Sequence, residues 1–308
     1  MKLISENLHI ISKTTKEAVL NRDENYVKSL LTRQIETKPD WIDLNIGPAR
    51  GAFAGTMKWL VDIVQDLTDI PLSFDSTNAD EVSVGLSMAK TPQLCLINST
   101  SADEHRLQKV SDLAAEYDCG MIALTMNSEH GIPKDADKRL ELAFEITSVT
   151  EEKGISNGKI YFDPLILPVC VDQTQSVEAL NTIRMLKESF EPQVRTTIGL
   201  SNVSNGCPKE LRPLINRVFM VMAMGCGLDS AIVDSFDSEL LRINRMIENE
   251  KPETSYDKLL LNIYSMMQTF DELESVEYDK TDIEQVKIYK TAEILMNKKV
   301  YSNSYLEI

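Results

Sequence analysis

The sequence is poor in several things that would announce a function. It has three histidines, His9, His105 and His130, too scattered to support a histidine-built metal site, so no bound metal is expected. Its five cysteines (Cys95, Cys119, Cys170, Cys207, Cys226) are odd in number and contain no C-x-x-C pair, which predicts free thiols and a cytoplasmic protein. No apolar run approaches the ~20 residues that a spanning helix needs. The opening MKLISENLHI lacks an apolar core followed by a small-residue cleavage site, so neither a membrane nor secretion is expected. Positive charge is scarce: 32 Lys and Arg stand against 48 Asp and Glu, a net charge of −16. Binding a phosphate backbone takes clustered cations, and none cluster along this chain, so no nucleic-acid partner is expected. The Walker loop, G-x-S-x-G and G-x-G-x-x-G are all missing.

What the chain does have is alternation. Short apolar or β-branched runs recur at KLISENLHI (2–10), WIDLNI (41–46), PLSFDS (71–76), QLCLINST (93–100), GMIALTMN (120–127), KIYFDPLIL (159–167), TTIGLSNVS (196–204) and SAIVDSF (230–236). Several are apolar on both faces, as strands of a covered parallel sheet should be. Between them lie helical stripes: Met57, Leu60, Val61 and Val64; Leu107, Val110, Leu113 and Ala114; Val177, Leu180, Ile183 and Leu186. RVFMVMAMGCGL (217–228) is apolar all round and reads as a buried helix whose methionines pack the core. Eight β-then-α units without a Pro/Gly/Ser-rich linker predict one (β/α)8 TIM barrel over 1–308.

The eighth unit is long, with an insertion at about 242–287 before a closing helix at YKTAEILMNKKV (289–300). Within it, Leu259, Ile263, Met266 and Phe270 share one helical face, suited to capping the barrel bottom or touching another subunit or partner. The acidic stretch FDELESVEYDKTDIE (270–284) reads as a solvated helical surface.

The residues that interrupt the apolar strands are Asp, Asn, Ser and Thr, nearly all near strand ends. They are Asp43, Asn45, Asp75, Asn78, Asn98, Asn127, Asp163, Ser201, Asn202 and Asn205. In a barrel these ends meet at one mouth, where barrel enzymes keep their active sites. Pro164 directly behind Asp163 holds that residue extended and ends regular pairing. Any one of these positions has an alternative use as a helix cap or turn closer. Carboxylates and amides together suit a flat heterocycle with adjacent N–H donors, such as the 2-amino-4-oxo-pyrimidine of a pterin.

DLNIGPA, SFDSTN, INST, LTMN…GIPKD, YFDPLILP, GLSNVS, RPLINRVFMVMAMGCGLDSAI and TAEILMNKKVY resemble the methyltetrahydrofolate–corrinoid methyltransferases over about residues 20–241 and 288–303. The resemblance implies a pterin-binding, dihydropteroate synthase-like barrel, usually a homodimer from anaerobic one-carbon metabolism. It implies tetrahydrofolate or methyltetrahydrofolate as substrate and a partner protein carrying a corrinoid (cobalamin). By motif, Asp75, Asn98 and Asp163 would bind the pterin and Asn202 would act beside N5. Ser201 and Gly199 would shape that loop, and Arg212 would support it. Glu6, Asp43, Asn45 and Asn127 are further candidates.

Two departures stand out. The family's G-E-R-I-N start is here S-E-N-L-H, which keeps Glu6 but puts Asn7 at the arginine position, and the acidic insertion is additional. Both tilt the expectation towards methylcorrinoid-to-tetrahydrofolate transfer in a demethylation pathway. The alternatives are a non-catalytic barrel scaffolding a corrinoid protein, or dihydropteroate synthase, which would want a basic end to strand eight.

Overall fold

The computed structural model describes residues 1–307. Its strands are β1 (Lys2–Ser5), β2 (Trp41–Gly47), β3 (Leu72–Ser76), β4 (Leu96–Thr100), β5 (Gly120–Leu124), β6 (Ile160–Asp163), β7 (Arg195–Thr196) and β8 (Ser230–Val233). Between and after them run α1 (Lys13–Leu20), α2 (Glu24–Glu36), α3 (Thr56–Leu67), α4 (Ala79–Met88), α5 (Glu104–Tyr117), α6 (Ala136–Glu152) and α7 (Thr174–Ser189). The last four helices are α8 (Arg212–Gly225), α9 (Ser238–Asn249), α10 (Ser255–Thr269) and α11 (Ile283–Leu295). The strands pair in parallel in the order β7-β6-β5-β4-β3-β2-β1-β8, which sets the first strand beside the last. This is the (β/α)8 barrel that the alternation predicts. No helix among the described residues is long and apolar enough to cross a membrane.

The two-residue period of each strand separates two jobs. Ile42, Leu44, Ile46, Leu72, Phe74, Ile97, Ile160 and Phe162 point outward into the core shared with the helices, joined there by Met57, Leu60, Val61 and Val64 of α3. The alternate positions point into the barrel. At its lower level Ile4, Leu96 and Ile122 pack with Trp41, Tyr161 and Ile232 and fill the interior. Nearer the C-terminal ends of the strands the inward series turns polar, giving Asp43 and Asn45 on β2, Asp75 on β3, Asn98 on β4 and Asp163 on β6. Register sets three of them in a row, Asn45 opposite Asp75 and Asp75 opposite Asn98.

Most strands are shorter than expected, and three fall furthest short. Residues 159–167 stop pairing at Asp163, where Pro164 intervenes. Residues 2–10 form four residues of strand, with His9 rejoining through one bridge to Asn45. Residues 196–204 are mostly not strand: after Thr196 the chain turns into a 3-10 helix at Leu200–Ser204. Side chains take the backbone donors that a ladder would use, for Asp229 accepts from Thr196 N (2.8 Å) and Asp163 from Gly199 N (3.3 Å). Between β7 and β8 the described residues form one backbone bridge, Gly199 to Ile232, with Ile232 N donating to Ile198 O at 2.9 Å; below it the wall is closed by side-chain bonds, Asp229 N donating to Thr196 Oγ1 (3.1 Å) and Ser230 Oγ to Thr196 O (3.2 Å).

The insertion differs from expectation in both parts. Leu259, Ile263 and Met266 are buried, but against α8 in the outer ring rather than on the barrel bottom. Gly225 permits this approach: a Cβ there would lie 2.6 Å from Met267 Cβ and from Tyr264 O. Phe270 leaves the stripe, caps α10 with a positive φ of 60° and stays exposed beside the Arg184 guanidinium. Covered on one side by the strands and on the other by α10, α8 is buried from Val218 to Met224, as its composition predicts. Before Ile283 the acidic stretch is not helical beyond one turn at Leu273–Ser275. Asp279 and Asp282 bond the amides just after them, which favours turns and a helix cap over continued helix. The closing helix accordingly begins at Ile283, behind its Asp282 cap.

Candidate functional site

At the C-terminal ends of the strands opens a cavity of about 790 Å3, in the ~300–1,000 Å3 range of small-molecule sites. Asp75, Asn98, Asp163, Gly199, Ser201, Asn202 and Arg212 all line it, as do Glu6, Asp43 and Asn45. Asn127 does not. β5 ends at Leu124, which faces the cavity, and Asn127 lies beyond it in a turn, accepting from His130 N at 2.9 Å and pairing with Gly131. Asn78 is likewise a helix cap, accepting from Asp80 N.

The floor is a bonded group of carboxylates and amides. Asp43 Oδ1 accepts from Ser73 Oγ (2.6 Å) and Asn98 Nδ2 (3.1 Å), and Asp75 accepts from Asn45 Nδ2. Asp163 Oδ1 accepts from Leu165 N at 2.7 Å, while Gly199 N approaches Oδ2. Leu165 has a φ of 63°, rare for a branched residue, and in that conformation its N–H turns back onto the carboxylate. An ionised carboxylate has about four acceptor sites, so each of these acids keeps capacity for a ligand's N–H groups.

Burial dominates the electrostatics here. It pushes the Asp163 carboxyl up to about 6 against the pull of the two backbone N–H groups. It also raises Asp43, and raises Asp75 well above the carboxylate range with Asp43's charge adding to the effect. Glu6 is pushed up to about 7, again by burial first, although the Ser201 hydroxyl donates to it. Several acids shifted in one direction within one cavity form a site waiting for hydrogen-bond donors.

The loop after β7 places Asn202. A Cβ on Gly199 would come within 2.9 Å of Asn202 Nδ2, so a larger residue there would turn that amide aside. Asn202 is exposed in the mouth and its amide bonds no other described residue. Arg212 Nε donates to Cys207 O (2.8 Å) and pins the far end of the loop.

Some lining residues were not anticipated. His9, Lys209, Asn216, Asp234 and Asp237 all border the cavity. His9 could have been found, since it follows β1 on the mouth side, and Asp234 sits at the end of β8. Lys209 and Asn216 come from the loop before α8 and from α8 itself, where nothing in the pattern marks them. Asn7 ties the ends of β1 and β8 together, donating to Asp234 Oδ1 (2.6 Å) and accepting from Ser235 N (3.1 Å).

Comparison with known proteins agrees with this geometry. The family described as pterin binding enzyme matches residues 25–234. The methylcorrinoid:tetrahydrofolate methyltransferase of Eubacterium limosum is 27% identical over 243 residues, covering 78% of this chain and 88% of that protein. Methionine synthases of Mycobacterium leprae and Mycobacterium tuberculosis are 30% identical over 250 residues, and the aligned part is 20% of their length. Among solved structures, Yersinia pestis dihydropteroate synthase superimposes with a TM-score of 0.54 at 14% identity, over 80% of this chain and 93% of that one. A second structure of that enzyme, with a pterine–sulfa conjugate, gives 0.52 at the same identity, over 80% and 94%. At such identity the likeness speaks for the fold.

Proposed function

The chain belongs to the pterin-binding enzyme family, and from that premise we propose that it transfers a methyl group between N5 of tetrahydrofolate and the cobalt of a corrinoid held by a partner protein. The observation that carries this reading is the row Asn45–Asp75–Asn98 facing Asp163 across a cavity floor, a set of acceptors and amides matched to the edge of a pterin. The relative named for methylcorrinoid:tetrahydrofolate transfer aligns over most of both chains and favours the direction that methylates tetrahydrofolate.

In this reading Asp75 and Asp163 accept the ring's N–H groups and Asn98 meets its carbonyl edge. The ring then lies with N5 towards the loop of Asn202. The corrinoid, when docked, supplies the cobalt centre that gives or takes the methyl group. Methyl gain at N5 releases that nitrogen's proton, and methyl loss requires one. Glu6, bonded to Ser201 beside Asn202 and with its carboxyl raised to about 7, holds or accepts such a proton near neutral pH. Asn202 donates a hydrogen bond that strengthens as charge shifts on N5, stabilising the transition state more than the ground state.

The test mixes the protein with tetrahydrofolate and methylcobalamin and, separately, with methyltetrahydrofolate and cob(I)alamin, following the cobalt spectrum. Methyl exchange is expected in both mixtures. Absence of exchange in both, with a cognate corrinoid protein also supplied, would refute the reading.

A further inference from the structure

A second cavity, of about 350 Å3, lies beside the first at the same end of the barrel. Its walls carry Arg50 from the loop after β2, Thr77 and Asp80 around the start of α4, and His105, Arg106 and Lys109 from α5. The fold brings Arg50 to residues more than fifty positions away, so the grouping is invisible along the sequence. In a chain of net charge −16, three permanent cations and a histidine here face one lining carboxylate. None of the three cations makes a salt bridge with another described residue, whereas Lys90 and Lys153, elsewhere on the chain, each do.

Arg106 joins the two cavities. Its guanidinium donates to Ser99 O, to Thr77 O (2.9 Å) and to Ser76 O (3.2 Å), and Ser99 lines the first cavity. Those carbonyls satisfy its N–H groups but leave its charge in place. The nearest acids acting on it are Asp75 on the floor of the first cavity and Asp103.

We propose that this basic cavity binds the carboxylates of the substrate's γ-glutamyl tail, and that polyglutamylated tetrahydrofolates are the preferred substrates. The inference rests on the folate reading of the first cavity. A tetrahydrofolate held by its pterin at Asp75 must send its aminobenzoyl-glutamate portion out over the rim. Each added γ-glutamate brings one more carboxylate. Arg50 and Lys109 stand at that rim with long side chains and no internal partner.

The experiment measures dissociation constants by calorimetry at low and moderate salt for three probes: a tail-less 6-methyltetrahydropterin, monoglutamyl tetrahydrofolate and triglutamyl tetrahydrofolate. They are compared between the wild-type chain and the double variant Arg50→Gln/Lys109→Gln, both positions being exposed and outside the pterin floor. The wild type should bind the triglutamate about tenfold more tightly than the monoglutamate at low salt, the scale of two partly exposed ion pairs. The double variant should reduce that gain to about twofold or less and bind the tail-less pterin unchanged; Arg50→Lys/Lys109→Arg should retain the gain. Equal affinity for both tail lengths in the wild type, or an undiminished gain in the double variant, overturns the proposal. So does a double variant that loses only affinity for the corrinoid partner, which would make the patch a protein contact. Failure of the tail-less pterin to bind either protein would instead overturn the folate reading itself.

Discussion

Replacing Asp163 with asparagine should make the unliganded protein more stable and a worse binder. The carboxyl rises from 3.8 to about 6 on folding because burial penalises its charge. At 1.36 kcal/mol per unit that is about 3 kcal/mol of destabilisation once the group is ionised in both states. The sign follows from the raised value. Below pH 3.8 both states are protonated and nothing is lost; between about 4 and 6 the penalty grows; above 6 it is constant.

An asparagine carries no charge, but its amide keeps only one acceptor where Leu165 N and Gly199 N now have two. Leaving one buried donor less well served costs about 1 kcal/mol. The net gain at pH 8 is then about 2 kcal/mol, which over 308 residues amounts to a rise of about 3 °C in Tm. At pH 3.5 the variant should instead melt slightly below the wild type. Tetrahydrofolate affinity should fall about 100-fold, the loss of two charge-assisted hydrogen bonds. Thermal melts at pH 3.5 and 8, with calorimetric titration of tetrahydrofolate at pH 8, cover both halves. A variant that melts below the wild type at pH 8 refutes the buried-charge argument, and unchanged affinity removes Asp163 from the site.

Asn202→Ala should slow methyl exchange about 10²–10³-fold while changing tetrahydrofolate affinity little, and stopped-flow rates set against equilibrium binding separate the two effects. An equal loss in both would contradict a role confined to the transition state. Methylation of tetrahydrofolate should accelerate as pH rises through about 7, where Glu6 becomes free to take a proton, and Glu6→Gln should abolish that inflection in the pH–rate profile. A wild-type inflection that survives in the variant belongs to another group. Ile263→Ala, in the buried stripe of α10, should lower stability by about 2–5 kcal/mol in denaturant titration. Its pterin affinity should stay at the wild-type level, because α10 packs on the outer ring.

The architecture was readable because β2, β3, β4 and β6 carry their assignment locally: an apolar outward series at every second position and an inward series that turns polar near the end. The same rule exposed Asp43, Asn45, Asp75, Asn98 and Asp163, and the cavity gathers all five. It failed at Asn127, because a residue beyond the strand end no longer obeys the two-residue period and is free to close a turn. It failed for 196–204 because glycine, serine and asparagine in a row fit a strand edge and a 3-10 turn equally well. The choice between them was made by Asp163 and Asp229, which are distant in sequence. Lys209 and Asn216 were hidden for a related reason, since helix and loop residues enter the mouth through tertiary placement alone. The acidic insertion misled because charge content marks exposure and says little about regular structure.

The single bridge between β7 and β8 divides the barrel wall into unequal parts. On one side, the strands leading up to the row from Asn45 to Asn98 pair in unbroken backbone ladders and should exchange their amide hydrogens slowly. On the other, the loop carrying Asn202 stands over a seam that one backbone bridge and the side chains of Thr196, Asp229 and Ser230 close in place of a ladder. Local opening there would displace Asn202 and Ser201 while the cavity floor stayed intact. Under the proposed function, ring recognition and action at N5 would thus rest on scaffolding of different construction, so selection could tune the pace of transfer through the seam without touching the affinity of the floor.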